Sequence, residues 1–248
     1  MIPLKDDIPT RRFPVLTVAI IVICCVVYFG FEHGGWSLGD RGNERVFEYG
    51  AIPYEVTHPG TCVEAAGFPC SEQAPWWQTL FTSMFMHGSL LHLAGNMLFL
   101  WIFGNNIEDS MSRWRFALFY LLGGLAALAG QTLVDPNSTV PTVGASGAIA
   151  AVLGAYALLY PRARVVTVIF IIIFFTVIEL PALVVLGFWI LLQLFLGVND
   201  LASPAAGSEG GVAYFAHIGG FAFGLLLIRL FANRIQDDYD RSRRLPVC

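Results

Sequence analysis

Six long apolar runs constrain this chain more than any other feature of its sequence. They cover approximately residues 13–31, 86–106, 115–134, 145–160, 181–198 and 212–232. A helix needs about 20 mainly apolar residues to cross a bilayer, and most of these runs approach that length. Only 13% of the residues are charged, which is about half of the fraction typical of soluble domains. The sequence therefore predicts an all-α, polytopic membrane protein with a bundle of six transmembrane helices.

The segment 165–178 is apolar but does not fit this series of spans. It is rich in β-branched and aromatic residues and is too short for a helical span. Pro181 follows it and is well suited to the start of the next helix. We expect an apolar loop or hairpin at the membrane interface, buried against protein, rather than a seventh span.

The basic residues predict the orientation of the six spans. They concentrate before span 1, between spans 2 and 3, between spans 4 and 5, and after span 6: Lys5, Arg11, Arg12, Arg113, Arg115, Arg162, Arg164, Arg234, Arg241, Arg243 and Arg244. Cytoplasmic loops carry the excess of Lys and Arg. We therefore expect a cytoplasmic N-terminal segment (1–12), a six-span domain (13–232) and a cytoplasmic tail (233–248). Cys62 and Cys70 would then share an extracytoplasmic loop, as either a disulfide or two free thiols.

Two polar residues lie near the starts of apolar runs that begin on the outer side. Ser146 opens the run 145–160, and His217 lies near the start of 212–232. Polar and ionisable groups in membrane helices are costly and indicate function by default. A neutral His can accept the proton of a Ser hydroxyl and make it a nucleophile. The predicted equal depth of the two residues therefore indicates a Ser–His pair.

The sequence offers donors for an oxyanion but no carboxylate to orient the His. Glu108, Asp109, Glu179 and Asp200 lie at the ends of spans 2 and 5 rather than within an outer half-span, so a dyad is expected instead of a triad. His92 and Asn96 are four residues apart and share a helix face. Together with the Ser146 backbone N–H they form a set of candidate oxyanion donors.

Small residues provide a way for the two spans to approach each other. His217, Gly220 and Gly224 lie on one face of span 6, and Ser146 and Gly154 lie on a small face of span 4 with Ala150. Faces of small residues allow membrane helices to pack closely. Such packing is required for a hydrogen bond between the Ser and the His.

These motifs resemble the rhomboid intramembrane serine proteases. The matching segments are HGSLLHLAGN (87–96), EDSMSRWRF (108–116), GASG (144–147) and AHIGGFAFG (216–224). The resemblance implies Ser146 as nucleophile and His217 as general base, with His92, Asn96 and the Ser146 amide stabilising the oxyanion. It assigns structural support to five residues, namely His87, Gly144, Gly147, Gly220 and Gly224. It also implies a long first loop (32–85) that is partly embedded in the membrane.

The implied activity is cleavage of single-span membrane proteins at small residues on a locally unwound helix, in or near the outer half of the bilayer. The expected partners are transmembrane substrates and the lipid bilayer, without nucleic acid, cofactor or metal, and the oligomeric state stays open. We expect a bacterial cytoplasmic membrane with the active site opening outward. The Trp-Arg pair common in the family's first loop is replaced here by the sequence WWQT (76–79).

Two other functions are compatible with the residues alone. A rhomboid-like protein without catalytic activity would capture membrane helices without cutting them, although such relatives typically lack the Ser or the His. A metal site or transporter would use His87, His92 and His217 as ligands, but no Asp or Glu accompanies these residues in the sequence.

Overall fold

The computed structural model describes residues 1–33, 42–63, 73–171, 174–202 and 212–233, and most of these residues are helical. The helices are α1 (Val15–Val26, extended by a π-helical segment Val27–Glu32), α2 (Gly42–Tyr49), α3 (Pro53–Thr57), α4 (Trp76–Thr82, followed by a 3₁₀ turn Ser83–Phe85), α5 (Leu90–Phe99), α6 (Asn105–Asp109), α7 (Arg113–Val134), α8 (Ser146–Leu159), α9 (Ala182–Ala202) and α10 (Tyr214–Phe231). A π-helical segment, Leu100–Gly104, joins α5 to α6. The three strands are β1 (Ile2–Asp6), β2 (Arg164–Ile171) and β3 (Phe174–Pro181).

Helices occupy each of the six predicted apolar runs. Five of them are long and apolar enough to cross a membrane: Val15–Glu32, Leu90–Asp109, Arg113–Val134, Ala182–Ala202 and Tyr214–Phe231. The sixth, α8, has only 14 residues, about 21 Å of helix. The helical membrane architecture expected from the sequence is confirmed, with one helix shorter than a full span.

The short helix α8 forms the centre of the bundle. Every residue from Gly147 to Ala157 is buried, and α7 and α10 pack against it along its length. Because α8 is enclosed by other helices, its length is not required to match the thickness of the bilayer. The helix therefore starts, at Ser146, inside the bundle.

The first loop is partly helical where the structure describes it, at residues 42–63 and 73–85. The isolated bridge between Ala51 and Thr142 ties this loop to the segment before α8. Cys62 is bonded in a disulfide, whereas Cys24 and Cys25 are free thiols. Cys70, the candidate partner in the same loop, lies outside the described residues.

A three-stranded antiparallel sheet closes the end of the bundle opposite Ser146, hereafter the sheet end. Its order is β1-β2-β3, so the segment 165–178 is a hairpin that also pairs with the N-terminal strand. On β2, Val165 and Thr167 are fully buried. On β3, in contrast, Phe174 and Phe175 are about 70% exposed, so the expectation that the whole segment is buried against protein is wrong. β3 is an edge strand of this sheet, and almost all of its side chains are exposed.

Two carboxylates, Glu108 and Asp109, anchor the start of α1 at the sheet end. Glu108 accepts hydrogen bonds from the backbone N–H groups of Leu16 (3.0 Å) and Thr17 (2.8 Å). These are first-turn N–H groups that lack partners within their own helix, and a negative charge is favourable there. Asp109 accepts from the guanidinium of Arg12 at 3.1 Å. Both acidic residues therefore stabilise the helix arrangement far from Ser146.

Asp6, at the end of β1, is a buried carboxyl group within the same region. Its Oδ2 accepts hydrogen bonds from the Tyr156 hydroxyl and from the Asn106 amide, each at 2.6 Å. Burial raises the pKa of Asp6 from 3.8 to about 6, and the hydrogen bond from Tyr156 opposes this rise. The folded protein therefore holds the Asp6 proton more tightly than the unfolded chain does.

This shift predicts a pH-dependent loss of stability that Asp6→Asn removes. Between about pH 4 and pH 6 the unfolded chain releases the Asp6 proton before the folded chain does, so unfolding becomes more favourable as pH rises. We expect a loss on the order of 2 kcal/mol across this interval, measured as unfolding free energy in detergent. The Asn variant should show a flatter profile in this interval, and identical slopes for both proteins would contradict the assignment.

Candidate active site

The Ser146 hydroxyl and the His217 imidazole are in hydrogen-bond contact. Ser146 is the first residue of α8, and His217 lies in the first turn of α10. The distance from His217 Nε2 to Ser146 Oγ is 2.8 Å, although the residues are 71 positions apart in the chain. This is within the reach expected of a nucleophile and its base. The structure thus brings together the two residues on which the sequence hypothesis depends.

Backbone contacts between α8 and α10 hold these two residues at this distance. A Cβ atom added at Gly220 would meet the Gly147 carbonyl oxygen, and one added at Gly224 would meet the Ala151 carbonyl oxygen, each at well under 3.0 Å. A Cβ atom added at Gly154 of α8 would be similarly close to the Phe221 carbonyl oxygen. Gly220 and Gly224 therefore lie at the contact between α8 and α10, where only glycine leaves room for the facing backbone. A Cβ atom at Gly147, next to Ser146, would instead meet the Ala127 side chain of α7.

Gly144 shapes the backbone that leads to Ser146. Its φ of +125° is a conformation that residues with a side chain rarely adopt, and its N–H donates to the Ser83 carbonyl at 2.8 Å. A Cβ atom at this position would lie 2.7 Å from His92 Nε2 and 3.5 Å from Ser146 Oγ. The absent side chain thus leaves the space in which the His92 ring lies beside the Ser146 hydroxyl.

Three candidate hydrogen-bond donors come from α5 and from the start of α8. His92 comes from α5 and is partly exposed. Asn96, one turn further on the same helix, is 8% exposed, and its Nδ2 finds no acceptor among the described residues. Ser146 N–H is at the start of α8, where backbone N–H groups have no intrahelical acceptor. Buried donors without acceptors are rare, so the Asn96 amide is a group from which a developing negative charge can draw a hydrogen bond.

His87 packs behind His92 and is fully buried. The two rings meet edge to face with centroids 5.2 Å apart. The backbone N–H of His87 donates to Glu32 Oε1 at 2.9 Å, and its Nδ1 lies 3.2 Å from the Phe85 carbonyl oxygen. This position fits the supporting role expected for His87.

Sequence reasoning missed Glu32 because the first predicted span ended at residue 31. Glu32 is fully buried, so a carboxylate does occur at this end of the bundle. Its described hydrogen bond goes to the backbone of His87 and not to His217. The signal in the sequence that could have identified Glu32 is a Glu directly following an apolar run.

Sequence reasoning also missed the partner of the second His217 nitrogen. Gln193 Oε1, on α9, lies 2.7 Å from His217 Nδ1. On the same face of α9, one turn earlier, the Trp189 ring lies 5.6 Å from the His217 ring. A Gln within an otherwise apolar helix was the available signal, but its partner could not be identified without the packing of α9 on α10.

Two of the three imidazoles considered as a metal site have different partners. The His217 ring contacts Ser146 and Gln193, whereas the His87 ring contacts the Phe85 carbonyl oxygen. Within the described ranges, no three side chains of His, Cys, Asp or Glu are grouped so that they could hold a metal ion.

The family model of the Rhomboid domain matches residues 73–234. The chain belongs to the rhomboid family. The resemblance inferred from the motifs is therefore confirmed, and all the residues of the described site except Glu32 lie within the matched range. Family membership, together with the five long apolar helices, establishes this rhomboid as an integral membrane protein.

Curated relatives of this rhomboid occur in mitochondria and in bacteria. Rhomboid protein 1, mitochondrial, of Saccharomyces cerevisiae is 29% identical over 68% of this chain and 45% of its own length. Rhomboid protease GluP of Bacillus subtilis is 30% identical over 57% of this chain and 24% of its own. The mouse presenilin-associated rhomboid-like protein, mitochondrial, is 30% identical over 60% and 37%. The rhomboid chain described here thus spans less than half of the length of these relatives.

Proposed function

We propose that this rhomboid is an intramembrane serine endopeptidase that cleaves single-span membrane proteins by a Ser146–His217 dyad. The observation that carries the proposal is the 2.8 Å contact between Ser146 Oγ and His217 Nε2. The unpartnered Asn96 amide and the proximity of His92 to the Gly144–Ser146 segment support it, as does the relative named a rhomboid protease.

The geometry suggests the following sequence of proton transfers. His217 Nε2 takes the Ser146 hydroxyl proton while Oγ bonds to the scissile carbonyl carbon, and the carbonyl oxygen becomes an oxyanion. His92, Asn96 and the Ser146 N–H donate hydrogen bonds to that oxygen. The tetrahedral intermediate then collapses, the C–N bond breaks, and His217 returns the proton to the leaving amine. A water molecule, deprotonated by His217, hydrolyses the resulting acyl-enzyme by the same steps.

The location of the dyad within the bundle supports a substrate in the membrane. Ser146 begins α8 inside the bundle, and an extended substrate backbone in hydrocarbon is tolerable only where protein or a water-filled cavity satisfies its polar groups. We place the site in the outer half of a bacterial cytoplasmic membrane, with the sheet end and both termini cytoplasmic and with the division into segments 1–12, 13–232 and 233–248. The basic residues of the sheet end support this orientation.

We propose α9 as the element that moves to admit the substrate. Phe188, Leu191 and Phe195 are each at least 50% exposed on α9, so this helix presents a bulky apolar face to lipid, while Trp189 lies against His217. A reversible cysteine cross-link between α9 and α5 should block cleavage of a membrane substrate while Ser146 still reacts with a small fluorophosphonate, and reduction should restore cleavage. Undiminished cleavage by the cross-linked protein would contradict this assignment.

The proposed activity is tested with purified protein in liposomes that contain a model single-span substrate. We expect cleavage that resists chelators and a fluorophosphonate label on Ser146. Intact substrate with no label on Ser146 would instead indicate a protein that binds membrane helices without cutting them. Cleavage that a chelator abolishes would indicate a metal enzyme.

A further inference from the structure

We infer that Gln193 is a positioning residue that orients His217 and selects the tautomer able to accept the Ser146 proton. This inference rests on the proposed function of the dyad. It concerns the side of the imidazole remote from Ser146, for which neither the motifs nor the family match identifies a partner.

The contact is short and enclosed. Gln193 Oε1 lies 2.7 Å from His217 Nδ1, and both side chains are largely buried, with 7% and 8% exposure. A Gln carbonyl oxygen can only accept a hydrogen bond, so His217 must carry its proton on Nδ1. In the neutral ring the lone pair is then on Nε2, which is the atom 2.8 Å from Ser146 Oγ. The bond to Gln193 thus leaves the base with its acceptor nitrogen towards the nucleophile.

A second contact from the same helix restricts rotation of the ring. Trp189 precedes Gln193 by four residues, so the two side chains share a face of α9. The Trp189 and His217 ring planes are inclined by 40° with centroids 5.6 Å apart. The indole limits tilting of the imidazole while the amide fixes its rotation, so α9 supplies both restraints on the base.

An amide suits this position better than the carboxylate of a soluble triad. An ionised carboxylate would have to be buried in an apolar helix, where its desolvation is costly. A neutral amide oxygen accepts the same Nδ1 proton without that cost. It also stabilises the imidazolium less than a carboxylate would, so the amide orients the base without strongly favouring its charged form.

Few ionisable groups surround His217, so a shift in the pH–rate profile can be assigned to its titration. Ser146 contacts it from α8, and His92 of α5 is its titratable neighbour. The face supplied by α9 consists of Gln193 and Trp189. Among the hydrogen bonds of the described residues, none joins His217 to a carboxylate.

The test compares Gln193→Met and Gln193→Glu in the full-length, reconstituted protein. Gln193→Met removes the acceptor and keeps a side chain of similar size. It should lower kcat about 10- to 100-fold with little change in KM, because a misoriented His217 would lose part of the rate enhancement that a general base provides. Without the acceptor the imidazolium is less stabilised, so the acid limb of the pH–rate profile should move to lower pH. Gln193→Glu should move it to higher pH, because a carboxylate favours the imidazolium.

Gln131→Met provides a matched control. Its Oε1 accepts a hydrogen bond from the backbone N–H of Ala216 at 3.3 Å, one residue before His217, so this variant also loses an amide acceptor near the site. We expect its acid limb to stay at the wild-type position. Displacement of the acid limb in opposite directions in the two Gln193 variants supports a positioning role, since loss of packing alone would not move the limb in opposite directions.

The outcomes separate this inference from the proposed function. Cleavage by the Ser146→Ala variant would overturn the proposed dyad itself. If Ser146→Ala is inactive but the pH–rate profile of Gln193→Met equals that of the wild type in height and position, only the role inferred for Gln193 is overturned. Should Gln193→Met fail to fold, Gln193→Glu decides, because it keeps the size and an acceptor oxygen. An unmoved acid limb in Gln193→Glu would then overturn the inference.

Discussion

Replacing Ser146 by Ala is expected to reduce cleavage of a reconstituted single-span substrate by about 10³-fold or more. In the proposed mechanism the hydroxyl 2.8 Å from His217 Nε2 is the attacking oxygen, and the Ala variant lacks it. His217→Ala should have an effect of similar size because the hydroxyl then has no base. Since the two side chains act as a unit, the double variant should be little worse than either single variant.

The measurement is the initial rate of substrate cleavage in liposomes, with fluorophosphonate labelling of the same samples. Ser110→Ala is a suitable control, because Ser110 is also buried but donates to the Ile107 carbonyl at the sheet end. This variant should cleave and label as the wild type does. A Ser146→Ala protein that keeps more than about a tenth of the wild-type rate would exclude Ser146 as the nucleophile.

Gly224→Ala is expected to produce the second large loss, although Gly224 is two turns away from His217. The added methyl group would overlap the Ala151 carbonyl oxygen, so α10 must move away from α8. Overpacking of this kind costs about 1–3 kcal/mol of folding free energy. A shift of about 1 Å between Ser146 and His217 is sufficient to lower activity about 100-fold.

Gly187→Ala on α9 is the matched control for this substitution. A Cβ atom at Gly187 meets nothing within 4 Å, so the same chemical change should leave cleavage and unfolding close to wild type. Unfolding in detergent and cleavage in liposomes should be measured for both variants. Wild-type activity in Gly224→Ala would show that the close approach of the helices does not determine the geometry of the dyad.

Much of the site was predictable because its chemistry is unusual for its surroundings. Ser146 and His217 are conspicuous in apolar runs, and the glycines of α8 and α10 identify the faces that meet. The spacing of His92 and Asn96 likewise predicts a shared helix face. These inferences need only helical periodicity and the cost of polar groups in apolar helices. The catalytic roles of these residues stay predictions.

The features that were missed depend on partners distant in the chain. β1 contains Pro3 and is stabilised by pairing with β2, where Asp6 lies opposite Val165, so no local pattern indicates it. Gln193 has no significance until α9 is placed against α10. Glu32 was missed for a simpler reason, since its helix continues one residue beyond the predicted apolar run. Tertiary contacts, rather than local preference, therefore determine the positions of β1 and Gln193.

The attachment of α9 to the sheet has a mechanical consequence. At its first residue, Ala182 is fully buried and donates to the Ala163 carbonyl at 2.7 Å, so α9 resembles a lever hinged at that end. Gln193 lies about 16 Å along the helix from this hinge, and a tilt of about 10° displaces it by about 3 Å. Such a tilt separates Gln193 from His217. The movement of α9 that we propose for substrate entry would therefore also break the contact that orients His217, so cleavage would require α9 to return to its position against α10.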